Sequence, residues 1–222
     1  VYKDHIRSVL YIWQGGMVSG NAVADVLSGK VSPSGKLTDT IACSLADYPA
    51  ANDFGGTVRN FYTEDIYVGY RYFETFCPEK VMYEFGFGLS YSKFDIEILK
   101  AETVTEESKV GGAWGSHGVS IDNGTCAGKE VQITICVKNT GDCRGKEVVQ
   151  VYVQAPQGKL GKPARELKAF AKTKELAPGE KQEMTLHIPV KNLASYDDSG
   201  VTGHKSCYVS EAGAYVFHVG NS

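Results

Sequence analysis

The 222-residue chain carries a formal net charge of -3 and has a pI near 6.0. That balance excludes the basic footprint of a nucleic-acid binder or an anionic-membrane partner, and no apolar run approaches the ~20 residues that span a bilayer. The length allows one large domain or two ordinary ones, each with its own core.

The opening residues, Val1-Tyr2-Lys3-Asp4-His5, read as the middle of a longer protein. The organising stretch then runs from Trp13 to Ile41. An apolar run, Ser8 to Ile12, predicts a strand, and the glycine-rich loop from Gln14 to Gly20 follows it directly. Ala22, Val23, Val26 and Leu27 recur at one-face helical spacing and predict a helix over 21–27. Asn21 is placed as its N-cap, and Gly29 as the left-handed residue past its end. A Pro/Gly turn, Val31 to Leu37, leads into another apolar piece. Strand, glycine loop, helix, turn and strand make one α/β unit, whose ligands usually sit at the carboxyl end of the strand. Gln14, Gly15, Gly16, Met17 and Ser19 are therefore candidate cleft-lining residues. A tight strand-to-helix turn is the equally simple alternative for the same glycines, and the Gly-Lys-Ser/Thr ending of a phosphate-binding loop is absent.

A loop rich in Asp, Asn and Gly follows at 47–60. Then 12 of the chain's 22 Tyr and Phe residues fall within 61–94. Ile66 to Phe73 has the β-branched and aromatic content of a strand. Tyr83 to Tyr91 alternates aromatics with glycine, which suits an irregular segment pressed against other backbone. From Phe94 the texture becomes short alternating runs between turn signals: Val131 to Val137, Val149 to Val153, Met184 to Ile188 and Tyr215 to Val219. Such strands predict an antiparallel β-sandwich of about 100 residues. The stretch near 103–126, with Trp114 and the glycosylation-type sequon at Asn123, reads as a loop or insertion.

Six cysteines without a CxxC pair argue for reduced thiols rather than a disulfide framework, although Cys136 could pair or stay free. They favour a bacterial cytoplasm over secretion. The five dispersed histidines offer no zinc-site spacing.

Several of these segments resemble glycoside hydrolase family 3, many of whose members are β-glucosidases. Gly20 to Leu27 with Pro33-Ser34-Gly35-Lys36-Leu37 is similar to a hallmark of that family's α/β-sandwich domain. Tyr62 to Tyr72 and Phe85 to Tyr91 resemble two further motifs of it, in the same order. Asn139-Thr140-Gly141, Gly145 to Tyr152, Lys162 to Phe170 and Leu176 to Glu180 resemble the family's fibronectin type III-like module. The resemblance implies an α/β fold (the C-terminal portion of the α/β sandwich, 1–94) followed by an all-β fibronectin type III-like sandwich of immunoglobulin type (95–222). It also implies hydrolysis of terminal β-D-glucosyl or related residues with retention, by two carboxyl groups about 5–5.5 Å apart, without a cofactor. The implied partners are the family's (β/α)8 barrel, which carries the nucleophilic Asp, and a β-glucoside or oligosaccharide substrate. The acid/base Glu is expected upstream of this chain, so no catalytic residue is assigned within it. Gln14 to Gly20 departs from the family's frequent Pro-Gly-Gln/Glu-Glu-Gly-Gly and lacks its acidic residue.

Glu64 and Asp65 are the most tempting carboxylates, since nearby aromatics could raise an acid's pKa. The simpler expectation pairs Glu64 with Arg71, buried and structural, or has it cap a turn. The aromatic cluster is expected to fill core and domain interface rather than stack on sugars. The competing functional reading is a non-catalytic carbohydrate-binding or scaffold module.

Overall fold

The computed structural model describes residues 5–53, 55–105, 119–120 and 129–222. It holds an α/β portion followed by a β-sandwich. In the α/β portion the expected strand at Ser8–Ile12 does not form. The run is exposed, with Val9 at 70 % and Ile12 at 55 %. A strand needs a hydrogen-bonded neighbour, and none of the described segments pairs with it. Helix α1 (Ser19–Leu27) begins two residues before the expected start, so Asn21 lies inside the helix and Val18 occupies the N-cap. The glycine loop starts the helix itself, because the Ser19 N–H donates to the Gly16 carbonyl at 3.1 Å. Gly29 has φ +76, as its place past the helix end requires.

Strand β1 (Ile41–Ala42) pairs antiparallel with β2 (Val81–Tyr83). Between them the expected strand at Ile66–Phe73 is replaced by helix α2 (Tyr70–Phe76). Gly69, at φ +60, turns the chain out of the extended path. Beyond it Tyr70 and Phe73, then Tyr72 and Phe76, recur three and four residues apart. That spacing gathers rings onto helix faces and outweighs their β-propensity. Phe73 becomes the centre of a small core with Ala42 and Cys77, packed by Tyr48, Tyr72 and Val81.

The sandwich follows the alternating pattern closely. One sheet takes the order β3-β5-β8, from β3 (Phe94–Thr105), β5 (Lys129–Asn139) and β8 (Lys181–Pro189). The other takes β4-β11-β6-β7, from β4 (Val119–Ser120), β6 (Val148–Gln154), β7 (Glu166–Lys172) and β11 (Ala214–Gly220). Val131, Ile135, Val137, Val149, Val151 and Ile188 are wholly buried between the two sheets. A separate hairpin joins β9 (Ser195–Asp197) to β10 (Cys207–Val209). The expected loop near 103–126 is partly sheet, since β3 runs to Thr105 and residues 119–120 pair with β11. Trp114 and Asn123 lie outside the described residues. The five described cysteines are free thiols, Cys136 among them and buried. No helix among the described residues is long and apolar enough to cross a membrane.

Candidate cleft loop and domain junction

The glycine loop is shaped by a close approach. A Cβ on Gly15 would lie 2.2 Å from Ser19 Cβ, so only glycine lets the chain turn directly into α1. Of the five candidates the structure brings Gly15 and Ser19 together. Gln14, Gly16 and Met17 stay on the surface, with Met17 fully exposed. Just ahead of the loop Trp13 has a positive φ of 52, and its ring meets Tyr11 edge-on at 4.6 Å. The loop is thus a tight turn that presents aromatic and apolar side chains on its outer side.

Glu64 and Asp65 do not form the arrangement expected of them. Arg71 pairs with Glu166 at 3.1 Å rather than with Glu64, and its side chain is 37 % exposed rather than buried. The reason is that Arg71 sits in the first turn of α2, which faces β7. Glu64 closes a turn through its backbone, its carbonyl accepting from the Tyr67 N–H at 2.8 Å, while Asp65 takes a φ of 50.

A polar constellation lies elsewhere, where the α/β portion meets the outer face of the β6–β11 sheet. Lys36 and Glu147 form an ion pair at 3.0 Å with side chains 11 % and 8 % exposed. Lys36 also donates to the Gly88 carbonyl, and the Val148 N–H donates to Glu147. Gln150, 3 % exposed, donates to the carbonyls of Gly86 and Asn221 and accepts from the Tyr152 hydroxyl. Gly86, at φ +84, lies against the Gln150 amide: a Cβ there would come 2.3 Å from the side-chain oxygen and would displace it. Two backbone bonds between Leu37 and the 86–87 segment, 2.8 Å each, hold that segment against the Pro33–Leu37 turn.

Helix α2 is fixed to the same sheet. Arg165 binds Glu74 at 2.8 Å, the Ala164 N–H donates to the Thr75 hydroxyl, and the Leu167 N–H donates to the Tyr70 hydroxyl. The Tyr70 ring stacks on Phe85 at 4.8 Å and meets Tyr152 edge-on at 5.9 Å. Burial pushes the Glu74 carboxyl up, and Arg165 pulls it partly back. Burial likewise raises the Tyr152 phenol and, with Arg165 nearby, lowers His218. Tyr70, Phe73 and Phe85 therefore serve core and junction, whereas Phe61 and Tyr62 stay exposed at 56 % and 92 %. Among the described residues no group of three or more His, Cys, Asp or Glu could hold a metal ion.

The aromatics of the junction were expected at a domain interface, and its polar part is what sequence reasoning missed. Its one available signal lay in β6, where Gln150 and Tyr152 sit on the phase opposite Val149 and Val151. That phase reads as solvent-facing in a sandwich with one covered side, yet both residues are buried.

Residues 1–91 match the glycosyl hydrolase family 3 C-terminal domain, and residues 147–222 match the fibronectin type III-like domain. A β-glucosidase of Ruminococcus albus is 47 % identical over 214 residues, covering 96 % of this chain and 20 % of that protein. β-Glucosidase A of Butyrivibrio fibrisolvens is 48 % identical over 222 residues, covering 99 % and 26 %. The chain thus spans about a fifth to a quarter of the length of these curated relatives. Among solved structures, a β-glucosidase from Paenibacillus barengoltzii superposes with a TM-score of 0.82 at 55 % identity, over 95 % of this chain and 21 % of that one. β-Glucosidase 3B from Thermotoga neapolitana in complex with α-D-glucose gives 0.75 at 39 % identity, over 96 % and 26 %. The chain belongs to glycoside hydrolase family 3, with sequence of the family's C-terminal domain followed by a fibronectin type III-like sandwich.

Proposed function

We propose that this chain is part of a retaining β-glucosidase, in which it walls the substrate cleft and braces the domains around it. The observation that carries the reading is the match to a β-glucosidase over 95 % of the chain at 55 % identity. In this reading the whole enzyme removes a terminal, non-reducing β-D-glucosyl residue. A carboxylate nucleophile forms a glycosyl-enzyme intermediate, and a second carboxyl protonates the leaving oxygen and then activates water. The family resemblance puts the nucleophile on a (β/α)8 barrel and the acid/base Glu upstream of the glycine loop, so in this reading neither carboxyl group is assigned to this chain. Gln14, Gly15, Gly16, Met17 and Ser19 face the aglycone side of that cleft, presented by the turn that Gly15 makes possible. The two functional units meet at residue 94, with 1–94 bearing the cleft loop and 95–222 the bracing sandwich.

The isolated chain is expected to be inactive on an aryl β-glucoside. Turnover above that of a matched Glu64→Gln variant would overturn this. In the whole enzyme, Met17→Ala is expected to raise KM for glucosides with a bulky aglycone while leaving the release of the β-anomer intact. An unchanged KM would remove the loop from the cleft.

A further inference from the structure

The hairpin of β9 and β10 stands apart from both sandwich sheets, and its loop is held by a concentrated set of hydrogen bonds. Its loop closes around a single carboxylate, that of Asp197, which is shielded from solvent. One carboxylate oxygen accepts from the N–H groups of Gly200 and Val201 at 2.6 and 3.2 Å and from the Ser199 hydroxyl at 3.2 Å. The other accepts from the N–H and hydroxyl of Thr202 at 2.9 and 2.6 Å. These donors hold the carboxyl well below the usual carboxylate range. The Ser206 N–H closes the loop on the Asp197 carbonyl at 2.6 Å.

Side chains alternate along a strand, so the neighbours of Asp197 in the ladder emerge on the opposite face. There Tyr196 and Tyr208 stand directly across from each other, with ring centroids 5.2 Å apart and planes at 63°. Both are open to solvent, at 51 % and 75 %. The pair forms an L-shaped seat, one ring offering its face and the other its edge. The exposed charges of the loop, the Asp198 carboxylate and the Lys205 ammonium, are of opposite sign and form no patch of one charge beside the rings.

We propose that the Tyr196–Tyr208 seat binds β-linked glucan chains. A β-glucopyranosyl unit is uncharged, presents a flat C–H face that packs on an aromatic ring, and carries hydroxyls within reach of a phenol. Area favours a sugar over a protein partner. The two exposed rings offer on the order of 250 Å², whereas a stable protein interface covers about 800 Å² on each partner. The choice of a β-linked glucan rests on the β-glucosidase reading above.

Native electrophoresis of the chain in gels containing soluble mixed-linkage β-glucan, beside gels containing glycogen, tests the assignment. Retardation is expected in β-glucan alone. Tyr196→Ala and Tyr208→Ala should each weaken it about three- to tenfold, the scale of one aromatic contact, while Tyr208→Trp retains it. Circular dichroism identical to the parent chain shows that the variants fold. Absence of retardation, equal retardation by glycogen, or indifference to both alanine variants would overturn the proposal. So would Tyr208-dependent self-association in sedimentation velocity, which would assign the seat to a second copy. If the whole enzyme fails to cleave an aryl β-glucoside while tyrosine-dependent retardation persists, only the catalytic reading falls.

Discussion

The two portions of this chain hold their apolar residues in opposite ways. The sandwich buries a continuous cluster, from Val131 to Tyr215, between two sheets that each supply alternate side chains. Among the described residues, the α/β portion has a core of three buried residues and leaves Leu10, Tyr11, Trp13, Met17 and Leu27 at least 40 % exposed. Period-2 strands satisfy their own backbone and cover one another, so the sandwich is organised from within. The α/β portion is organised from outside, by ion pairs and hydrogen bonds to the sheet of β6, β7 and β11.

Substitutions that sharpen this contrast differ in expected size. Ile135→Ala opens a cavity at the centre of the sandwich and should cost about 4 kcal/mol in chemical denaturation. A loss below about 1 kcal/mol would mean that the sandwich is not internally packed as described. Glu147→Ala leaves Lys36 as an uncompensated, nearly buried ammonium and should cost about 3 kcal/mol. Its signature is regional: amide exchange should rise over 33–37 and 86–88 while the β5–β8 ladder stays protected. Uniform loss of protection would instead make the two portions one cooperative unit.

A smaller, pH-dependent effect comes from His218. Its folded-state pKa is lowered by burial and by Arg165, so below the ordinary value near 6.5 the unfolded chain binds more protons than the folded one. Stability is therefore full above that pH and falls as pH drops below it. His218→Gln should flatten the thermal midpoint across this interval. An unchanged slope would exclude His218 as its source. The smallest effect belongs to Met17→Ala, which should change stability by less than about 0.5 kcal/mol because nothing packs on that side chain.

The same contrast explains how far the sequence could be read. Alternation at Val131–Val137 and Val149–Val153 carried the sandwich strands directly, because a strand that sends its aliphatic side chains to one face writes its pattern with period two. At Ile66–Phe73 the reading failed, since aromatic content signalled strand while the backbone turn at Gly69 and the three- and four-residue ring spacing made a helix. At Ser8–Ile12 a correct apolar pattern met no neighbouring strand. The glycine loop was legible as a turn from its composition. The polar contacts of the junction were not, because Lys36 and Glu147, or Arg165 and Glu74, become partners only through pairings about 90 to 110 residues apart along the chain.

The fit between Gly86 and Gln150 has a consequence for recombining modules. The glycine leaves space for an amide that belongs to the other portion, and that amide grips the glycine's own carbonyl. A chimera that joined this sandwich to a foreign α/β partner at the boundary near 94 would separate the two halves of that lock. A workable crossover has to carry the Pro33–Leu37 turn, the Phe85–Gly88 segment, Glu147 and Gln150 as one inherited block. The unit of exchange in this chain is therefore a three-dimensional contact set that no single cut in the sequence delimits.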